Sequence, residues 1–213
     1  MSYRIKEIFY TLQGEGVNVG RPAVFLRFSG CNLWSGREED RADAACRFCD
    51  TDFVGTDGPG GGEYPAAEEV AAAVARAWAG DDDLDDLPLV VCTGGEPLRQ
   101  LDEKLASALQ GRGFEVALET NGTLLPPEGI DWICVSPKAG TKLRVTEGDE
   151  LKLVYPQEGA EPERYEDLAF THHLLQPMDG PEKETNTKLA LRYCLEHPRW
   201  RLSLQTHKIL DIP

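Results

Sequence analysis

No stretch of the sequence comes near the ~18–20 consecutive apolar residues of a membrane span. Basic residues are scarce: 22 Lys and Arg stand against 37 Asp and Glu, a formal net charge of −15. A nucleic-acid footprint needs a basic stripe, so this balance argues against tRNA or rRNA as the direct substrate. The opening residues, Met1-Ser2-Tyr3-Arg4-Ile5-Lys6, lack the apolar core of a secretory signal. We therefore expect a cytoplasmic protein that binds neither membrane nor nucleic acid, in a compartment where thiols stay reduced. There is no internal repeat. Histidine is rare, with four residues at 172, 173, 197 and 207.

What is present is a globular composition, 41% hydrophobic over 213 residues, enough for one domain spanning 1–213 with a substantial core. Short apolar strands alternate with longer helical patterns. Strands are expected at Ala23–Phe28 (AVFLRF), Leu89–Cys92 (LVVC), Phe114–Glu119 (FEVALE), Trp132–Val135 (WICV), Leu151–Val154 (LKLV), His173–Gln176 (HLLQ) and Leu202–Gln205 (LSLQ). Helices are expected at Pro65–Ala79, Pro97–Gln110 and Glu182–Glu196. Such alternation predicts an α/β domain with a mostly parallel sheet. A closed eight-unit barrel typically uses ~250 residues. Three helices and two long loops predict an incomplete, open barrel instead. The Gly-rich stretch Asp57–Tyr64 reads as a connector, and the acidic run Asp81–Asp86 as a solvated turn.

Six cysteines occur, at 31, 46, 49, 92, 134 and 194. The last three lie inside apolar patterns and read as small core residues. Cys31, Cys46 and Cys49 lie in a polar loop, with Cys46-Arg47-Phe48-Cys49 forming a metal or cluster turn. A structural zinc site closes with four ligands. No fourth ligand is near in sequence. A four-iron cluster held by three thiolates leaves one iron open to a small ligand. S-adenosylmethionine could meet that iron through its amine and carboxylate, and one electron could then cleave its sulfonium. Strand LVVC runs into Thr93-Gly94-Gly95-Glu96-Pro97, where glycines allow close approach to a ligand and Glu96 could accept from an ammonium group.

Cys31, Cys46, Cys49 and the GGEP stretch at 94–97 resemble the radical S-adenosylmethionine superfamily. The usual spacing of three residues between the first two cysteines is here fourteen. Further stretches narrow the match: Leu12-Gln13-Gly14-Glu15-Gly16, Arg27, Cys49-Asp50-Thr51, Glu119-Thr120-Asn121-Gly122, Ser136-Pro137-Lys138, Gln176-Pro177-Met178-Asp179 and Gln205-Thr206-His207-Lys208. Together these cover nearly the whole chain and resemble the 7-carboxy-7-deazaguanine synthase family, in its variants with an expanded cluster loop (here 31–53).

That resemblance implies a radical-type partial β/α barrel. It also implies a lyase that turns 6-carboxy-5,6,7,8-tetrahydropterin into 7-carboxy-7-deazaguanine with loss of ammonia, in 7-deazapurine and queuosine synthesis. Cys31, Cys46 and Cys49 match the ligands of a 4Fe-4S cluster. Phe48, Cys49, Asp50, Gly95, Ser136, Pro137, Lys138, Gln176, Pro177, Met178 and Asp179 match positions contacting S-adenosylmethionine. Leu12, Gln13, Gly14, Arg27, Thr93 and Pro213 match substrate positions, and Thr51 matches a magnesium position. A flavodoxin- or ferredoxin-like electron donor and a homodimer are implied as partners. A guanidinium such as Arg27 suits a substrate carboxylate; Gln13 and Glu15 suit a pterin's amide-like edge. Asn121 could touch the cofactor, and His207 reads as structural. The alternative function is an activase that places a glycyl radical on a partner protein.

Overall fold

The computed structural model describes residues 2–80 and 87–213. The acidic run Asp81–Asp86 lies outside the described residues. The strands are β1 (Tyr3–Leu12), β2 (Pro22–Phe28), β3 (Gly62–Tyr64), β4 (Leu89–Gly94), β5 (Glu115–Thr120), β6 (Trp132–Val135), β7 (Glu147–Tyr155), β8 (Ala169–Pro177) and β9 (Trp200–Leu202). The helices are α1 (Ala67–Ala77), α2 (Glu103–Gln110), α3 (Lys183–Glu196) and α4 (Thr206–Leu210). All nine strands form one sheet in the order β3-β1-β2-β4-β5-β6-β7-β8-β9. The pairs from β2 to β9 are parallel, while β1 is antiparallel to both β2 and β3. The two edge strands do not pair with each other, so the barrel is partial, as expected.

Strand alternation sends every second side chain to the helix-covered face. Val24, Leu26 and Phe28 of β2, Val90 and Cys92 of β4, and Val116 and Leu118 of β5 go outward, onto α1 and α2. Leu151, Leu153 and Leu175 of β7 and β8 go outward onto α3 with Trp200. The intervening positions face the concave side. Ala23, Leu89, Val91 and Ala117 pack there as a small apolar group with Phe25 and Trp132. Nearer the carboxyl ends of β2, β4, β5, β7 and β8, the same alternation puts Arg27, Thr93, Glu119, Lys152 and Gln176 on that concave side.

The helix expected at Pro97–Gln110 divides into a 3-10 turn at Pro97–Arg99 and α2. Asp102 is the cause: its carboxylate caps α2 by accepting from Leu105 N at 3.0 Å and also accepts from Tyr3 Oη at 2.8 Å. The last strand is Trp200–Leu202 rather than 202–205. Strands β1 and β3 and the short α4 lie where no element was expected; β3 takes the end of the stretch Asp57–Tyr64 read as a connector, because Gly62–Tyr64 pairs with Tyr3–Ile5 of β1.

Candidate active site

The concave face encloses a cavity of about 400 Å³. At one end stands the cluster loop. Cys31 follows β2 directly, and Gly30 is held on both sides, its N–H donating to Phe53 O at 3.0 Å and its carbonyl accepting from Glu96 N at 3.0 Å. Cys31, Cys46 and Cys49 all line the cavity. The interaction between the neighbouring Cys46 and Cys49 thiols lowers the Cys49 pKa and raises that of Cys46. Burial pushes the Cys31 thiol up. Lys138 lines the same end, its Nζ donating to Ser136 O at 2.6 Å and Ser136 Oγ at 2.7 Å.

Gly95 lets the chain pass between this loop and the sheet. A Cβ there would lie 2.3 Å from Gly30 O and 2.9 Å from Cys31 Cβ. Gly95→Ala is therefore expected to displace Cys31 and to cost about 1–3 kcal/mol of stability, as overpacking does. Thermal unfolding together with iron uptake checks both effects; an alanine variant matching the parent in both would contradict the packing argument.

Glu96 departs from expectation. It is fully buried and does not face the cavity. Its Oε1 accepts from Thr120 Oγ1 at 2.8 Å and Leu98 N at 3.0 Å, and its Oε2 accepts from Asn121 N at 2.8 Å. Burial raises its pKa against these three donors. It ties the end of β4 to the end of β5 and is not placed to receive an ammonium group.

A buried ionic group also lines the cavity. Lys152 Nζ donates to Glu15 Oε2 at 2.6 Å and to Glu119 Oε1 at 3.2 Å. Glu119 also accepts from Gln13 Nε2 at 3.2 Å and Thr93 Oγ1 at 3.3 Å. Glu15 accepts from Gln205 Nε2 at 3.0 Å. Burial lowers the Lys152 pKa, but Glu119 and Glu15 outweigh it and hold it well above the ordinary lysine value. Arg27 gives its Nε to Glu7 Oε1 at 2.7 Å, which fixes the plane of its guanidinium beside the cavity.

The fourth helix lies over one side. Thr206 bonds Gly14 O through both its N–H and its hydroxyl, and Thr11 Oγ1 donates to Pro213 O at 3.0 Å. Lys208 of α4 bridges Asp50 on the cluster loop and Asp179 after β8. That cation holds the Asp179 carboxyl down to about 2.

The expected site residues come together with two exceptions. Leu12, Gln13, Gly14, Arg27, Thr93 and Pro213 line the cavity, as do Phe48, Asp50, Thr51 and Gly95. Ser136, Lys138, Gln176, Pro177 and Asp179 line it too, with Asn121 and His207. Pro137 and Met178 stand behind its wall, where their carbonyls accept from Gln157 Nε2 at 3.3 Å and Asn186 Nδ2 at 2.9 Å. Glu7 and Lys152 belong to the cavity and were not singled out from sequence, and Lys208 was quoted only within the Gln205–Lys208 stretch, without a role of its own.

No protein-family model matches the chain. Curated proteins do. A 7-carboxy-7-deazaguanine synthase of Caulobacter vibrioides is 62% identical over 213 residues, covering all of both chains. One from Burkholderia multivorans is 60% identical over 214 residues, again across both full lengths. The chain belongs to the 7-carboxy-7-deazaguanine synthase family. Its fold is similar to the crystal structure of QueE from Escherichia coli, with TM-score 0.71 and 26% identity, covering 96% of this chain and 94% of that one.

For a synthase of this family the donor set can be tested against a 4Fe-4S cluster. Three thiols converge on one cavity end. Among the described residues no group of three or more His, Cys, Asp or Glu side chains is arranged to hold a single metal ion. A three-thiolate cluster fits this set, and a closed four-ligand zinc site does not.

Proposed function

We infer that the protein converts 6-carboxy-5,6,7,8-tetrahydropterin into 7-carboxy-7-deazaguanine with loss of ammonia, as a radical S-adenosylmethionine lyase of 7-deazapurine and queuosine synthesis. The observation that carries this reading is one cavity lined by three cysteine thiols together with a guanidinium, an amide and a buried ion-pair group. When bound, the reduced cluster supplies the electron that cleaves S-adenosylmethionine to a 5′-deoxyadenosyl radical.

The chain's own residues position the reactants. Cys31, Cys46 and Cys49 hold the cluster. Main-chain groups at Gly94 and Gly95, with Ser136, Gln176 and Asp179, line the same cavity as the thiols, where the cofactor would lie. Arg27, oriented by Glu7, offers terminal nitrogens to a substrate carboxylate. Glu119 and Gln13 present acceptor and amide groups to a pterin edge, and Thr93 steadies Glu119. Lys152 holds the Glu15 carboxyl below the usual carboxylate range and fixes both Glu15 and Glu119 in place inside the protein. Phe9 and Phe25, stacked 5.4 Å apart, give an apolar flank on the same cavity. Thr51 supplies a hard oxygen beside Cys49 for magnesium, which substrate oxygens and water must complete.

A flavodoxin- or ferredoxin-like protein as electron donor, a homodimer and a cytoplasmic setting complete the reading. No helix among the described residues is long and apolar enough to cross a membrane. A cavity of about 400 Å³ suits a small molecule better than a polypeptide loop, which favours the synthase over an activase.

The test is an anaerobic assay with cluster-loaded protein, reductant, S-adenosylmethionine, magnesium and the carboxytetrahydropterin. Carboxydeazaguanine and regenerated cofactor are expected. Cofactor cleavage without that product would sink the substrate assignment.

A further inference from the structure

The fourteen residues between Cys31 and Cys46 carry a device that acts on the cysteine turn. Residues 46–53 have no regular secondary structure. No helix or strand ladder therefore sets the direction of their peptide groups. Arg41, in the 3-10 segment Glu38–Asp43, reaches back across the loop. Its Nη1 donates to Arg47 O at 2.9 Å and to Cys49 O at 3.1 Å. Among the described residues these two carbonyls have no other partner.

The guanidinium is itself held. Its Nε donates to both oxygens of Glu38, at 2.8 and 2.9 Å. Its central carbon lies 4.1 Å from the centre of the Trp34 ring. That ring is nearly buried, packs edge-on against Phe53 and donates Nε1–H to Arg37 O at 3.1 Å. Ala45 N donates to Leu33 O at 3.1 Å, closing the base of the insertion just before Cys46. The Arg41 side chain is 27% exposed although its loop is largely open to solvent.

We propose that Arg41 is a positioning residue for the cluster: it staples the Cys46–Cys49 turn so that both thiols are presented to the cavity before any iron arrives. The insertion is then the part of the chain that brings the staple within reach. This rests on reading Cys46 and Cys49 as cluster ligands.

The experiment measures alkylation of each cysteine by iodoacetamide in metal-free protein, resolved by mass spectrometry, for the parent, Arg41→Met and Arg41→Lys. Cys46 and Cys49 are expected to react about tenfold faster in Arg41→Met, the factor that one charge-assisted hydrogen bond commands. Cys92 is buried in the sheet, away from the cavity, and reports general loosening. It is expected to stay at the parent rate. Arg41→Lys keeps a donor without the planar face and is expected to fall between the two. A parent-like rate in Arg41→Met, an equal rise at all cysteines, or no rescue by lysine would each overturn the staple. A second arm counts iron and sulfide in the reconstituted parent. Failure to take up a cluster there would defeat the ligand assignment, while the alkylation rates still decide the staple.

Discussion

Cys49→Ala is expected to take up no stable four-iron cluster and to leave S-adenosylmethionine uncleaved above the uncatalysed background. The reason is ligand count. Three thiols face the cavity, and among the described residues no other Cys, His, Asp or Glu arrangement could hold a metal in their place. Removing one leaves two thiolates for a cluster that already has one iron without a protein ligand. The loss belongs to the site and not to folding. Cys49 is only partly buried and lies outside the apolar clusters, so the metal-free variant should unfold within about 1 kcal/mol of the parent. Cys194→Ala is the control, because Cys194 packs with the α3 core, away from the cavity. It should keep its iron. Iron and sulfide counts, the visible spectrum and deoxyadenosine release check the pair of variants. Retained cleavage in Cys49→Ala would refute the cluster assignment.

Lys152→Met is expected to cost about 3–5 kcal/mol, the usual consequence of leaving buried charges without their partner. Its ammonium is 6% exposed and stands between the Glu15 and Glu119 carboxylates, 16% and 23% exposed. Without it those two like charges face one another across the concave side. The pH dependence separates this cause from lost packing. In the parent, burial raises the Glu15 pKa, but Lys152 overrides it and holds that group at about 2. Its folded value is then below the unfolded ~4.3, so its contribution is present above that pH and is lost as pH falls toward 2. In Lys152→Met, burial, the largest influence on this group, still raises it, opposed only by the hydrogen bonds from Gln205 and Gln176. Protonation of Glu15 would then favour the folded state, and the deficit against the parent should narrow as pH falls from 7 to 5. Urea unfolding at several pH values measures it. A deficit that stays constant across that range would point to packing alone. Substrate turnover should fail in the same variant even where it remains folded, since Glu119 would lose its fixed position.

Much of this site could be read from local pattern. The strand AVFLRF was legible, and because β2 alternates without interruption Arg27 falls on the concave side with Ala23 and Phe25. Strand β1 was hidden for a physical reason. Its register shifts between Ile5 and Glu7, so the period of two breaks in mid-strand and its polar residues imitate a loop. Lys152 left a weaker trace, a single charged residue inside the apolar strand LKLV, while Glu119 at the end of FEVALE was quoted with Thr120, Asn121 and Gly122. Their partnership could not be read, since Glu15 and Lys152 lie 137 positions apart and meet only when the barrel curls. Glu96 failed in the opposite sense. Its motif suggested an exposed acceptor, but Thr120, Asn121 and Leu98 converge on it only when β4 and β5 pair. The stretch Gln205–Lys208 was legible as a motif, but the helix α4 and the part Lys208 plays were not, because that role arises only when Asp50 and Asp179 are brought to it.

Glu96 turned inward has a consequence for how this wall can change over generations. With its carboxylate committed to Thr120 and Asn121, the stretch Gly94-Gly95 meets the cavity through peptide groups alone. A recognising side chain can be exchanged by a single codon change; a peptide group is present whatever the codon. Mutation can alter what this wall accepts only by bending it, and a change that bends it also moves Cys31, which lies against Gly95. Specificity here is inherited as backbone shape, linked to the thiol it stands beside, and the two can drift only together.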